Sequence, residues 1–210
     1  QYNPDGHDGT NNWAYSARHV FYWKNTKRIA DHKHQDGHPK DLPKLVFLGK
    51  HFPEKSEIRG KCFNKQQNSS QPFSDYCAIL LSECLIRSGV STAGSSSTKC
   101  WSHAGMKHIL LAEQMADWLF KTNIKGLGKR ESVLPAEFQE KLQGRTGIIF
   151  FKDYWTRGNE SFANRSGDHI DLWNKDKITS SSMFTRSILE FFGRVSDLNQ
   201  AKEIWFWEVK

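Results

Sequence analysis

The sequence has no long apolar run. A helix needs roughly 20 consecutive apolar residues to cross a bilayer, and no such stretch occurs among the 210 residues. We therefore expect no membrane-spanning helix. A chain of this length can bury a full hydrophobic core, and no linker or internal repeat divides it, so we expect one domain over residues 1–210.

Cysteine is scarce, and its spacing lacks the Cys-x-x-Cys pattern typical of structural zinc sites. We therefore expect no metal. The four cysteines are Cys62, Cys77, Cys84 and Cys100. If Cys77 is a free nucleophile, at most one disulfide can form among the other three. Either Cys62 or Cys84 can be paired with Cys100, and the sequence leaves that choice open.

Acidic residues are outnumbered: 23 Asp and Glu stand against 30 Lys and Arg, and the formal net charge is +7. A cationic surface favours an anionic polymer as partner, such as nucleic acid, acidic lipid or bacterial cell wall. The basic residues are scattered, and no arginine-rich tract or ribonucleoprotein motif accompanies them. We therefore do not expect a nucleic-acid partner.

Hydrophobic periodicity changes along the chain. The first seventy residues are polar and rich in turns, whereas later segments alternate between helical and strand patterns. Helices are predicted over residues 13–21, 75–87, 106–122, 135–142 and 183–192, and strands over residues 147–152, 169–173 and 204–209. This order predicts an α+β fold, with helices early and an antiparallel sheet late.

Cys77 lies in the first turn of the helix predicted over residues 75–87, and Ser74 or Asp75 is a suitable N-cap. Unpaired N–H groups and the helix dipole at this end favour a thiolate, so we expect a lowered pKa for Cys77. The same N–H groups could donate to an oxyanion. The plainer interpretation is a small, buried, apolar side chain.

His169 lies on an alternating segment, Asp168-His169-Ile170-Asp171-Leu172-Trp173. Alternation sends His169, Asp171 and Trp173 to one face of the strand and Ile170 to the other. A histidine fixed on a strand can act as the general base for a thiol within hydrogen-bond reach. The alternative is a solvent-facing strand with an exposed histidine.

Three segments resemble the family-four amidase effectors of bacterial type VI secretion, which belong to the NlpC-type, papain-like class of cell-wall peptidases. They are residues 77–82 (CAILLS), 144–151 (GRTGIIFF) and 167–174 (GDHIDLWN). The resemblance is strongest over residues 70–180 and leaves residues 1–70 as a polar, family-specific extension. It implies a papain-like fold, with N-terminal helices packed on a C-terminal antiparallel sheet.

The resemblance also implies a site. Cys77 would be the nucleophile and His169 the base, with no metal or organic cofactor. The family commonly orients its histidine with an acid about a dozen positions later, where this chain has serines. Asp171 is therefore the first candidate for the third member and Asp176 the alternative, while Trp173 and Tyr76 are candidate substrate contacts.

The implied activity is hydrolysis of the γ-D-glutamyl to diaminopimelate bond of peptidoglycan stem peptides, by an antibacterial toxin. Such a toxin is secreted by its producer, acts in the target's periplasm, contacts a secretion component and needs a cognate immunity protein. Two other classes stay open. One is a non-catalytic cell-wall or partner-binding module with a degenerate triad, and the other is a basic nucleic-acid enzyme whose activity would not depend on Cys77.

Overall fold

The structure is a computed structural model that describes residues 45–66, 69–178 and 198–210. All of these residues belong to one compact unit. The helices predicted over residues 13–21 and 183–192 lie outside the described residues. The prediction of a single domain over the whole chain stays a prediction.

Five α-helices are described, and the longest begins at Cys77. The helices are α1 (Leu45–His51), α2 (Lys55–Arg59), α3 (Cys77–Arg87), α4 (Ala112–Lys121) and α5 (Phe138–Leu142). A short hairpin, β1 (Asn64–Gln66) and β2 (Ser69–Gln71), lies between α2 and α3. Residues Phe162–Asn164 form a 3₁₀ turn, and residues 198–200 form another.

The later part of the chain forms one five-stranded sheet. Its strands are β3 (Leu127–Val133), β4 (Arg145–Trp155), β5 (Gly167–Lys175), β6 (Lys177–Ile178) and β7 (Glu203–Val209). The order across the sheet is β3-β7-β4-β5-β6, and every neighbouring pair is antiparallel. The predicted α+β fold is confirmed: helices that come early in the chain pack on an antiparallel sheet that comes late.

Both faces of this sheet are buried, because strand residues alternate between two separate cores. Helices α3 and α4 cover one face, and α5 covers the other with Phe138 and Leu142. The side chains facing α3 and α4 are Ile148, Phe150, Ile170, Leu172, Trp205, Trp207 and Val209. Residues 167–173 of β5 are all buried, so the alternative of a solvent-facing strand is wrong.

Helix α3 holds the first half of the predicted site. Eight of its eleven residues are buried, as expected for the apolar sequence CAILLSECLIR packed between the sheet and α1. The helix begins at Cys77, two residues later than predicted, and ends at Arg87 as predicted. Gly89 has φ = +87°, a left-handed conformation that suits glycine and stops the helix.

Helix α4 begins at Ala112, whereas the periodicity predicted a start at residue 106. The intervening residues are extended instead. The N–H of Cys100 donates to the carbonyl of His108 at 2.8 Å, and the N–H of Leu110 donates to the carbonyl of Thr98 at 3.0 Å. These hydrogen bonds fold residues 98–110 into a loop that reaches back toward α3.

Candidate active site

Cys77 is the first residue of α3, where the helix meets strand β5. The backbone N–H groups of Ile170 and Ala78 face its sulfur. Strand β6 pairs only with Trp173 and Asn174, so within the described residues no strand covers this edge of β5 beside Ile170. The open edge lets the helix end approach β5 directly, and it brings Cys77 next to the residue that follows His169.

Burial sets the protonation of Cys77, whose side chain is only 9% exposed. Burial raises the pKa of the Cys77 thiol well above its ordinary value, and the negative charge of Asp75 raises it further. The N–H groups of Ile170 and Ala78 oppose this rise and do not cancel it. The prediction of a lowered pKa is therefore wrong for this structure, because burial outweighs the helix end.

Asp75 also caps the helix. Its Oδ1 accepts the N–H of Cys77 at 3.0 Å, and the residue in the N-cap position itself, Tyr76, makes no capping bond with its side chain. The prediction of Ser74 or Asp75 as the N-cap is therefore wrong in position, although the side chain of Asp75 does satisfy one N–H of the first turn. The N–H of Cys77 therefore donates to Asp75 and is not directed at an oxyanion site.

His169 is buried beside Asp171 and packs against two aromatic rings. Its Nε2 lies 3.3 Å from Oδ2 of Asp171, and its ring stacks on Phe151 and meets Tyr154 edge-on. An ionised carboxylate can only accept, so Nε2 carries the proton in this contact and Nδ1 is left with a lone pair. Burial lowers the pKa of His169, but the hydrogen bond and charge of Asp171, with the charge of Asp75, outweigh it and raise the pKa overall.

The structure separates the two candidates for the third member of the site. Asp171 is 1% exposed and contacts His169, and its Oδ1 accepts the N–H of Leu172 at 2.7 Å. Asp176 is exposed in the turn after β5. Six strand residues separate that turn from His169, a span of roughly 20 Å. Asp171 is brought to His169, and Asp176 is not.

A cleft of ≈ 410 Å³ opens beside Cys77. Asp75 and Cys77 line one side, Leu110 and Leu111 another, and Trp155, Arg157 and Asp168 come from the β4 and β5 ends. Asp168 faces away from His169, as strand alternation predicted. Its Oδ1 accepts the N–H of Asp153 at 2.9 Å, and burial raises its pKa. The cleft thus presents one guanidinium and two carboxylates around the thiol.

Tyr76 and Trp173 do not line this cleft, and their predicted role as substrate contacts is wrong. Tyr76 is 1% exposed, and its hydroxyl donates to the carbonyl of Cys62 at 2.7 Å. Trp173 is 3% exposed and donates from Nε1 to the carbonyl of Leu142 at 3.0 Å. Helix α5 covers that face of the sheet, so a residue sharing the histidine's face lies in a core and not at a surface.

Sequence reasoning gave Asp75 a capping role only and overlooked its charge, which raises the pKa of both Cys77 and His169. The signal was available, because a carboxylate two residues before a helix-borne cysteine stays near its sulfur. Arg157 was also overlooked. It follows a bulged end of β4, where Asp153 has φ = +49°. An irregular segment of this kind has no periodic sequence pattern from which it could be predicted.

Comparison with protein families gives a match over residues 73–207, to the family described as type VI secretion system (T6SS), amidase effector protein 4. The match spans both Cys77 and the β5 segment and covers well over half of the chain. The chain belongs to this family. It is therefore a type VI secretion amidase effector, as the three sequence segments implied. No helix among the described residues is long and apolar enough to cross a membrane.

Solved structures of the same family share low sequence identity with this effector. Tae4 in the Tae4/Tai4 effector–immunity system of Salmonella typhimurium is 18% identical, with 90% of this chain and 96% of that chain covered and a TM-score of 0.47. Tae4 of Enterobacter cloacae is 18% identical over the same shares, with a TM-score of 0.44. No curated protein matches the chain.

Proposed function

We propose that this effector hydrolyses the γ-D-glutamyl to diaminopimelate bond of peptidoglycan stem peptides, with Cys77 as nucleophile. One observation carries the proposal. Cys77 begins α3 against the backbone of Ile170, while the neighbouring residue on β5, His169, is held through Nε2 by Asp171. A thiol, an imidazole and a carboxylate that holds one nitrogen of that imidazole are the groups that cysteine acyl transfer requires.

The raised pKa values define the order of proton transfers. Cys77 rests as a thiol, so its proton passes to Nδ1 of His169 as the sulfur attacks the amide carbon. The C–N bond then breaks, and the imidazolium gives that proton to the leaving amine, which leaves a thioester on Cys77. Neutral His169 next takes a proton from water, the hydroxide oxygen adds to the thioester carbon, and the C–S bond breaks. The sulfur recovers its proton from His169.

The charges around the cleft suit a stem peptide. A γ-D-glutamyl to diaminopimelate segment carries several carboxylates and an amino group. Arg157 can bind a carboxylate, and Asp168, 4.0 Å from the guanidinium, can accept an amine once that pair opens. The formal net charge of +7 also favours approach to an anionic cell wall.

The proposal includes a site of action and a partner. An enzyme with this substrate would act in the periplasm of the target bacterium after secretion. Solved Tae4 structures are described as complexes with the immunity protein Tai4. We expect this effector's producer to make a cognate immunity protein that covers the Cys77 cleft, and the two to co-elute in gel filtration.

The test is digestion of purified sacculi, followed by mass spectrometry of the released fragments. Two matched variants each replace a thiol on α3 by a hydroxyl: Cys77→Ser beside the cleft, and Cys84→Ser at a buried position further along the helix. We expect Cys77→Ser to lose about three orders of magnitude in rate or more, and Cys84→Ser to keep its activity. Fragments cut after D-glutamate identify the bond.

Two results would count against the proposal. Equal cleavage by both serine variants would exclude Cys77 as the nucleophile. A protein that cleaves nothing but sediments with sacculi would support the second function, a non-catalytic cell-wall-binding module. The burial of Cys77 and its raised pKa are the observations that favour this second function.

A further inference from the structure

A second cluster of cysteine and histidine lies on the other side of α3, between the end of α2 and the loop of residues 98–110. Cys62 Sγ is 3.0 Å from Nδ1 of His108 and 3.4 Å from Nε2 of His103, and the three ligand atoms all lie within 4.8 Å of one another. Cys100 also contacts the Cys62 thiol. We call Cys62, Cys100, His103 and His108 the Cys62 cluster.

These distances are close to, and somewhat shorter than, the edges of a zinc coordination tetrahedron. With Zn–S near 2.3 Å and Zn–N near 2.05 Å, two ligand atoms at the tetrahedral angle lie about 3.4 to 3.8 Å apart. The two sulfur-to-nitrogen distances are 3.0 and 3.4 Å. A sulfur-to-nitrogen edge is about 3.6 Å, so the Cys62–His103 pair needs to open by about 0.2 Å and the Cys62–His108 pair by about half an ångström to accept the ion.

A carboxylate fixes the orientation of His108. Oε2 of Glu83 lies 2.7 Å from Nε2 of His108, and Glu83 is held in turn by Nε of Arg87 at 2.9 Å. A carboxylate on one ring nitrogen places the proton there and leaves the other nitrogen, Nδ1, as a ligand. Metal-bound histidines typically show this arrangement, and here the free Nδ1 points at Cys62.

We propose that the Cys62 cluster is a structural zinc site: the ligand atoms of Cys62, His103 and His108 already lie together, and Cys100, which contacts the Cys62 thiol, turns to supply the fourth ligand. Thiolate sulfur together with imidazole nitrogen selects Zn²⁺ among common cellular cations. The proposal revises the expectation of no metal. The sequence pattern was present as Cys100-x₂-His103-x₄-His108, but the remaining ligand, Cys62, is 38 positions before Cys100 and gives no local spacing to recognise.

The contacts around the cluster indicate a structural role. Cys62 and Cys100 have no exposed surface, and four protein ligands leave no position for a substrate. The carbonyl of Cys62 accepts the hydroxyl of Tyr76, the residue before Cys77. Ser102 links the loop of residues 98–110 to the segment that follows α2, because its hydroxyl donates to the carbonyl of Lys61. Zinc here would fix the start of α3 and the loop that supplies Leu110 and Leu111 to the cleft.

The test measures zinc per chain by elemental mass spectrometry, after full-length protein is purified under reducing conditions and desalted from excess zinc. We expect one zinc ion per chain, and cobalt substitution should give thiolate-to-metal charge-transfer bands. His103 is the least buried ligand, so His103→Ala should fold and yet lose the stoichiometric ion. Cys84→Ser, a buried cysteine outside the cluster, should keep it.

A second variant examines the ring orientation. Glu83→Gln removes the carboxylate from His108 and should weaken zinc about 10- to 100-fold in competition with a chromogenic chelator. Chelation should lower the melting temperature of the native protein but not that of His103→Ala. Three results would overturn the proposal: no bound zinc, zinc retained by His103→Ala, or an intact mass short by two hydrogens from a Cys62–Cys100 disulfide.

Discussion

The protein contains two regions in which a carboxylate holds Nε2 of a histidine and a cysteine lies nearby. At one, Asp171 holds Nε2 of His169 and Cys77 lies next along the sheet edge. At the other, Glu83 holds Nε2 of His108 and Nδ1 points at Cys62. Residue types alone do not distinguish a catalytic site from a metal site here.

The two regions differ in how accessible the thiol is and in how many further metal-ligating side chains surround it. The Cys77 sulfur meets a cleft and two backbone N–H groups, so a substrate carbonyl can reach it. Cys62 is fully buried, and a second histidine and a second cysteine lie next to its sulfur. A thiol that borders a cleft suits acyl transfer, whereas a thiol enclosed by further ligands suits a metal ion.

The largest contrast is expected from the two histidines. His169→Ala should reduce the rate of sacculus cleavage by about three orders of magnitude or more, because it removes the base. That variant should also lose some stability, because His169 is buried beside Asp171. His108→Ala should act on stability and not on the rate, because it removes a proposed zinc ligand and one of the two partners of Glu83, which keeps its ion pair with Arg87.

Rates for this histidine pair are compared per folded molecule, with circular dichroism as the check on folding. Equal rate losses for the two variants would contradict the separation of roles.

The two aspartates proposed for the third position give the next contrast. Asp171→Asn should lower kcat by about 100-fold or more, because the imidazole loses its orienting acceptor. With neutral His169 as the proposed base, activity should fall as pH drops through its pKa, which lies above the ordinary 6.5. Without the Asp171 charge that pKa falls, and the acid limb of the pH–rate profile should move to lower pH.

Asp176→Asn serves as the matched control and should change neither kcat nor the acid limb. An acid limb that moves with Asp176 and not with Asp171 would overturn this assignment.

Asp75 allows a smaller and separate test of the cleft cysteine. Asp75→Asn keeps an oxygen to accept the N–H of Cys77 and removes the charge that raises the pKa of the thiol. Each unit by which that pKa falls increases the thiolate fraction at neutral pH about tenfold. The rate of alkylation of Cys77 by iodoacetamide at pH 7 should therefore rise, with the modified cysteine identified by peptide mapping.

An unchanged or lower alkylation rate in Asp75→Asn would show that its charge does not govern Cys77. Native protein should be alkylated slowly at pH 7 and faster as the pH rises above about 8.5, the ordinary value for a thiol. A fast rate that is flat from pH 5 to 8 would instead indicate a preformed thiolate–imidazolium pair.

The smallest effect is expected at Trp173, which lies with His169 on one face of β5. Trp173→Phe removes the Nε1 bond to Leu142 and keeps an aromatic ring against Phe138. We expect a loss of about 1 kcal/mol in unfolding free energy, with KM for a muropeptide unchanged. A several-fold rise in KM without loss of stability would restore Trp173 as a substrate contact.

Much of the fold could be predicted from the hydrophobic periodicity of the sequence. The apolar run that begins at Cys77, the stop at Gly89 and the alternation around His169 each depend on neighbouring residues only, so they could be predicted. Strand β3 was missed because its sequence, LGKRESV, has almost no apolar alternation. It joins the sheet through pairing with β7, a partner about 75 residues away, and such long-range pairing leaves little local signal.

The site was predictable in part for the same reason. Cys77, His169 and Asp171 lie in recognisable local segments. Trp173 was misplaced because strand alternation was taken to mean one buried face and one solvent-facing face. Helix α5 covers the second face, so both faces are buried. The direction of the pKa of Cys77 depends on burial, which is a tertiary property. The Cys62 cluster joins residues 62 and 100 across α3, and no local spacing connects them.

The proposed function requires that Cys77 form a covalent bond to its substrate. The most direct measurement is an acid quench of the protein with muropeptide during turnover, followed by peptide mass spectrometry. We expect a thioester on the peptide that contains Cys77, with the mass of the acyl half of the stem peptide, and no adduct on Cys62, Cys84 or Cys100. Turnover without an adduct on Cys77, in a protein whose Cys77→Ser variant cleaves as fast, would contradict it.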